Sequence, residues 1–448
     1  MSTIPPVASP TKPSAARGHI RLLVFLSCCT TLLTIFLTTL SSQLSLFDSS
    51  PHILLHPTPH LSIRRALASA SLRWDVFYFA PVAKEGYVYE QQWAFFPGVP
   101  RVMRAWAVFA DTLRQLGQGQ PTSASLEWED FLLGGSLTAA LLSIPSVLVL
   151  YDLTLTHFDS PSIALLASLM SLLPSSPATL RMVGYSEPFF TFLSYLGMRF
   201  CAHKQWFFAT CCFALASTFR SNGILIAGFV LWGLVVEPLL THRKIYVGRI
   251  LYTIALFSIS VAYFVYYQYQ AYRLFCQGTD TPAPWCSAFP PSIYTYVQGK
   301  YWNVGFLRYW TLQQLPNFLL GAPPLLLLIS FATHYIRLAL GPRFITFVSG
   351  RATARPSGSS RDDRTMRSPF LSPDIAPHVI HALVLCFVLL FASHTQIVLR
   401  FAAAMPLTYW AAAWLVVERP GWAKWWIGWS VLWGATSCVL WGVFLPPA

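Results

Sequence analysis

Residues 20–41 read IRLLVFLSCCTTLLTIFLTTLS, with Arg21 the only charge. An uncharged apolar run of about 20 residues is what a helix needs to cross a hydrocarbon core roughly 30 Å thick. The run is longer than the apolar stretch of a cleaved secretory signal, and no small-residue cleavage signature follows it. It therefore reads as a retained signal anchor. The same signal recurs along the chain, near 131–154, 223–240, 250–271, 315–337, 378–394 and 425–445. Weaker or interrupted runs lie near 162–180, 188–203, 206–219 and 397–417. Counted together they predict an all-α polytopic membrane protein with about eleven spans.

Composition agrees with that fold class. The chain has 448 residues, of which 55% are hydrophobic and 10% charged, and its mean hydropathy is +0.51. A soluble domain carries roughly 25% charged residues to solvate its surface. Here lipid must cover much of the exterior. The net charge of +13 does not indicate nucleic acid, because the basic residues are scattered between apolar runs and form no stripe.

Lys and Arg gather on the cytoplasmic side of short loops. Placing residues 1–19, with Lys12 and Arg17, as a cytoplasmic tail puts Arg199/Lys204, Arg243/Lys244/Arg249 and Arg419/Lys424 on the same face. Residues 337–376 fall there too and carry seven arginines among Ser, Pro and Gly. The segment 338–376 reads as a flexible basic cytoplasmic loop within one integral membrane domain, 1–448. Two large loops, 42–130 and 272–314, then face the opposite side.

Most of the nine cysteines lie inside spans, where Cys behaves as a small apolar residue. Cys276 and Cys286 instead share one non-cytoplasmic loop, so a disulfide is expected if that compartment is oxidising. No His/Cys group has zinc-ligand spacing, and no metal site is expected.

Acidic residues number only 17, so their positions carry information. Asp75 follows Arg73-Trp74 in the first large loop. Glu187 sits at the mouth of a span on the same side, in Gly184-Tyr185-Ser186-Glu187-Pro188. A carboxylate close to hydrocarbon is costly and often functional. Two such groups facing one cavity would supply a general base and a supporting acid. Glu187 would serve equally as a charge favouring the N-terminus of the helix begun by Pro188. On the same face, Arg220 and Arg400 suit phosphate recognition through paired donors. The plainer alternative is snorkelling to lipid headgroups.

Several stretches, in order, resemble one family. They are Trp74-Asp75, Glu85-Gly86-Tyr87-Val88-Tyr89-Glu90 and Phe95-Phe96-Pro97-Gly98, then Ser175-Ser176-Pro177-Ala178 with Tyr185-Ser186-Glu187, then Phe219-Arg220-Ser221-Asn222-Gly223. The block Tyr294 to Pro316 follows, with Tyr301-Trp302-Asn303-Val304-Gly305-Phe306-Leu307-Arg308-Tyr309-Trp310 at its centre, and last His394-Thr395-Gln396 to Arg400 and Pro406. The set resembles the phosphatidylinositol-glycan class V family of GPI mannosyltransferases, in a fungal-type form, over residues 74–410.

The resemblance implies a GT-C-type glycosyltransferase of the endoplasmic reticulum membrane with its active site on the luminal side. It implies transfer of the second mannose, α-1,6-linked, from dolichyl-phosphate mannose to the mannosyl-glucosaminyl-acyl-phosphatidylinositol precursor, with inversion. No cofactor is expected, and fungal relatives suggest a small membrane partner subunit besides membrane lipids. Asp75 is the expected base, with Glu187 orienting the acceptor or tuning Asp75. Arg400, then His394 and Arg220, are expected to meet the donor phosphate. Asn222, Gln396, Trp302, Asn303 and Arg308 are further candidates for substrate contact. The competing readings are a multi-pass lipid or solute transporter, and another mannosyltransferase using the same donor.

Overall fold

The computed structural model describes residues 12–56, 62–118, 126–277, 282–349 and 368–446. Among these there are helices and turns but no strand. In a lipid-covered chain this follows from the backbone, whose N–H and C=O groups must pair within the segment itself.

Among the described residues six helices are long and apolar enough to cross a membrane: Ala16–Ser41, Trp128–Phe158, Gly223–His242, Val247–Cys276, Leu312–Val348 and Pro373–Phe391. Their outward faces are apolar. On the first helix Phe25 and Leu32 point outward while Leu23 is fully enclosed. A seventh crossing arises if Thr395–Ala404 and Pro406–Glu418 are taken together, although the two meet at 86°. The bend falls at Met405, which is extended at φ −103° and ψ 109°. A residue before proline is pushed out of the helical region by the pyrrolidine ring. The run expected near 397–417 is therefore a broken pair, and the break turns Arg400 away from the line of the following helix.

The runs near 162–180 and 206–219 hold the 11-residue helices Pro161–Ser171 and Trp206–Ala216. At 1.5 Å per residue each is about 16 Å long. Ser186–Ala202 reaches 17 residues, and the Trp-rich Pro420–Gly442 reaches 23.

The loop expected over 338–376 is shorter than the sequence suggested. Helix continues to Val348. At the far end Phe370 and Ile375 are fully buried, and the Tyr335 hydroxyl donates to the Ser372 carbonyl at 2.9 Å. Apolar anchors, invisible beside so many Ser, Pro and Arg, pin the far end. Residues 350–367 and the first 11 residues of the tail lie outside the described residues.

The loop 42–130 is a folded layer. It contains the helices Ile63–Ser71, Val76–Glu85 and Gly98–Gln118. Arg64 and Arg114 bind Asp130 at 2.8 and 2.6 Å, tying this layer to the start of the Trp128–Phe158 helix. In the loop 272–314, Cys276 and Cys286 form a disulfide with a Cα–Cα distance of 5.6 Å. Beyond it, the helix Ile293–Trp302 is capped at its start by the Ser292 side chain. Aromatic packing joins the two loops, with the Phe95 and Trp302 rings 5.6 Å apart. On the helix before the second loop, Tyr267 packs on Trp93 and Phe96 and donates its hydroxyl to the carbonyl of Trp93 at 3.1 Å.

Candidate active site

Arg73 is wholly buried, and its guanidinium donates to the carbonyls of Ser69 at 2.5 Å, Leu72 at 2.9 Å and Gly442 at 2.8 Å. Burial lowers its pKa to about 10. Trp74 follows in the left-handed region, φ 49°, a conformation costly for a bulky residue. Its ring rests on Phe444 at 5.0 Å. These anchors turn the chain so that Asp75 starts the next helix with its carboxylate towards the interior of the loops.

Opposite stands the Gly184-Tyr185-Ser186-Glu187 segment. A Cβ on Gly184 would lie 2.9 Å from the Cα of Gly135, so the backbone approaches the Trp128–Phe158 helix as only glycine allows. That approach seats Tyr185, whose hydroxyl accepts the Asp75 N–H at 2.9 Å. Glu187 falls in the first turn of the Ser186–Ala202 helix.

Four charges meet here. Arg400 donates from Nη2 to Asp75 Oδ2 at 2.9 Å and from Nε to Glu187 Oε1 at 2.5 Å. Arg220 donates from Nη1 to the same Oε1 at 2.6 Å and to Ser186 Oγ at 3.1 Å. The Arg400 guanidinium also lies over the Tyr185 ring at 4.8 Å. Two cations balance two carboxylates, and mutual hydrogen bonding is what allows them to be buried together. Burial and the Asp75 charge hold the nearby Tyr78 phenol above its usual range, so it stays protonated.

The cluster forms one wall of a cavity of about 270 Å³. Asp75 is the only carboxylate among the lining residues, which also include Arg220, Arg400, His394, Gln396 and Trp302. The expectation of two acids facing one cavity is corrected here. The Glu187 side chain is 3% exposed, against 28% for Asp75, and it is not part of the lining. The arginines enclose it on the protein side. The expectation that Arg400 chiefly meets a phosphate also changes, because two of its donors hold the carboxylates.

His394 Nε2 lies 2.7 Å from the Trp302 carbonyl. A carbonyl only accepts, so Nε2 is the donor of this hydrogen bond. The ring stacks on Tyr309 at 4.6 Å, and the Tyr309 hydroxyl donates to Gln396 Oε1 at 2.7 Å. Asn303 ends its helix in the left-handed region at φ 52°. It lines a neighbouring cavity together with Arg308. Asn222 does not reach either cavity, and its Oδ1 is buried without a partner. Among the described residues no three His, Cys, Asp or Glu side chains gather as metal ligands.

Sequence reading did not single out Tyr185 for a role. It lay in a matched stretch, but nothing in a sequence marks a tyrosine that holds the backbone of a residue 110 positions away.

A family model described as mannosyltransferase (PIG-V) matches residues 18–448. The chain is 34% identical to the GPI mannosyltransferase 2 of Cryptococcus neoformans, covering 95% of this chain and 98% of that one. It is 31% identical to the GPI alpha-1,6-mannosyltransferase 2 of Rattus norvegicus, over 79% of this chain and 75% of the relative. With the GPI mannosyltransferase 2 of Schizosaccharomyces pombe it shares 29% identity over 93% and 83%. No solved structure matches it.

Proposed function

Because the chain belongs to the PIG-V mannosyltransferase family, we propose that it is a multi-pass membrane enzyme adding the second mannose, through an α-1,6 linkage, to the GPI-anchor precursor. The donor is dolichyl-phosphate mannose and the acceptor is mannosyl-glucosaminyl-acyl-phosphatidylinositol. The observation that carries this reading is the placement of Asp75. Among the described residues it is the one carboxylate lining the cavity, and Arg400 and the Tyr185 hydroxyl hold it at both side chain and backbone.

The donor is a β-linked mannosyl phosphate and the product an α-mannoside, so one displacement with inversion accounts for the change. Asp75 Oδ2 is engaged by Arg400, and Oδ1 faces the acceptor hydroxyl and takes its proton. The freed oxygen pair attacks the anomeric carbon. The bond from that carbon to the phosphate oxygen breaks, and its electrons leave with dolichyl phosphate. That oxygen is already a weak base, so neither a strong acid nor a metal is required in this reading. Glu187 acts at a distance, by holding Arg400 where it keeps the Asp75 carboxylate aimed.

The site lies on the luminal side of the endoplasmic reticulum membrane in this reading, within a GT-C-type architecture. Support comes from the elements that meet beside the cavity. The end of the first helix and the end of the last touch there: a Cβ on Gly442 would lie 2.6 Å from Ser41. Arg199 and Lys204 lie at the far end of the Ser186–Ala202 helix from Glu187. A transporter would place its charges near the bilayer midplane between repeated halves, whereas these converge at one end of the bundle. Depleting the protein and profiling lipid-linked intermediates tests the function. The one-mannose GPI precursor should accumulate, and an unchanged profile would overturn the assignment.

A further inference from the structure

Around the reaction cavity the charges are matched, Arg220 and Arg400 on its wall against Asp75 beside them and Glu187 enclosed behind them. The donor adds a phosphodiester with one negative charge, which becomes a phosphomonoester with about two as the sugar departs. A matched cluster offers that growing charge little net attraction.

Next to it lies a second cavity, of about 380 Å³. Trp302, His394 and Gln396 line both cavities and form their common wall. The second lining contains no carboxylate and one guanidinium, that of Arg308. Among the described residues Arg308 makes neither an ion pair nor a side-chain hydrogen bond. The amides of Asn303, Gln313, Gln314 and Asn317 complete the polar surface.

The backbone there is shaped to present the arginine. Leu307 is left-handed at φ 57°, a rare state for a branched residue. Its N–H donates to the Phe391 carbonyl at 2.6 Å. Arg308 then lies back across Gly305, where a Cβ would come within 2.8 Å of its Cδ. A chain of hydrogen bonds holds the opposite side: Asn317 Nδ2 donates to Gln314 Oε1 at 2.6 Å and to the Tyr309 hydroxyl at 2.8 Å.

We infer that this second cavity is the phosphate subsite of the lipid-linked sugar donor, with Arg308 its principal cation, and that the sugar reaches past Trp302 and His394 to Asp75. The assignment rests on the donor class proposed above. An unmatched guanidinium gains most as the phosphate moves from one charge to two, so it favours the departing group over the bound donor. Uncharged amides supply further donors without adding an anion that would repel the phosphate. The anomeric carbon of the donor is bonded directly to a phosphate oxygen, so the phosphate must lie close to the hydroxyl held at Asp75, and the second cavity adjoins the first across Trp302 and His394.

The test uses the full-length chain in lipid nanodiscs, with dolichyl phosphate and dolichol as probes. Arg308→Gln should weaken dolichyl phosphate binding by about 10- to 100-fold, leave dolichol binding unchanged and leave the melting temperature unchanged. Arg308→Lys should recover part of the loss, since it restores the charge without the fork. Binding of dolichyl phosphate by Arg308→Gln within twofold of wild type would overturn the inference. So would a raised acceptor KM with dolichyl phosphate binding intact, which would make the cavity a glycan site. Mannose transfer by the wild type is measured on the same preparation. If that transfer is absent while Arg308→Gln still loses dolichyl phosphate, the proposed function falls and the phosphate subsite stands.

Discussion

Arg400 and Asp75, 325 positions apart in sequence, are joined by a 2.9 Å hydrogen bond from Nη2 to Oδ2. The same guanidinium reaches Glu187 through Nε. One side chain thus links the exposed acid to the buried one, and the two acids differ in role because only one meets the cavity. Arginine is suited to this task, since its planar fork can serve two carboxylates in fixed directions.

Replacing the base should separate chemistry from folding. Asp75→Asn keeps the shape of the side chain and sits at a partly exposed position. Transfer should fall by about 10²- to 10⁴-fold, the usual contribution of a general base. Microsomal mannose incorporation measures this, and near-normal activity would remove Asp75 from that role.

Arg400→Ala strips Glu187 of one of its two arginine partners and releases Asp75. Removing one member of a buried ion pair costs about 3–5 kcal/mol, so the melting temperature and kcat should drop together. Arg400→Lys should behave similarly, because one ammonium cannot reproduce both contacts. A change confined to the donor KM, with stability intact, would return Arg400 to direct phosphate binding.

Tyr185→Phe removes the acceptor of the Asp75 N–H but keeps the ring beneath Arg400. The expected stability loss is about 1 kcal/mol. The expected kinetic signature is a several-fold lower kcat with both KM values unchanged, as for a group that only aims the base. If kcat is unaltered in the purified variant, Tyr185 has no positioning role.

The Cys276–Cys286 disulfide bears on the compartment. In intact sealed microsomes, a membrane-impermeant maleimide should not label these two thiols. After the vesicles are opened and reduced, both should react, as peptide mass spectrometry would record. Labelling of either one without reduction would place the loop in a reducing compartment.

Hydropathy made the membrane class legible from runs such as residues 20–41, because spanning a bilayer is a one-dimensional demand on consecutive residues. It was less able to show where a run is broken. The bend at Met405–Pro406 depends on one dihedral, and it reorients Arg400 without changing the hydropathy around it. The 338–376 segment misled for a related reason: Phe370 and Ile375 are core anchors only because of what packs on them.

Residue type and order along the chain were enough to mark Asp75, Glu187, Arg220, Arg400 and His394 as candidates, since rare charges beside hydrocarbon stand out in any reading. Their division of labour was not in the sequence. Whether a carboxylate faces a cavity or the protein interior depends on four segments meeting in three dimensions. That meeting rests on contacts such as Gly184 against Gly135 and Arg73 on the Gly442 carbonyl. The sequence by itself determined that this protein lives in a membrane and which side chains it can use there. Tertiary structure alone decided that Asp75 is presented, that Glu187 is enclosed and that Arg308 is left without a counter-charge. Charge matching is a property of distances in space, and sequence spacing does not contain them.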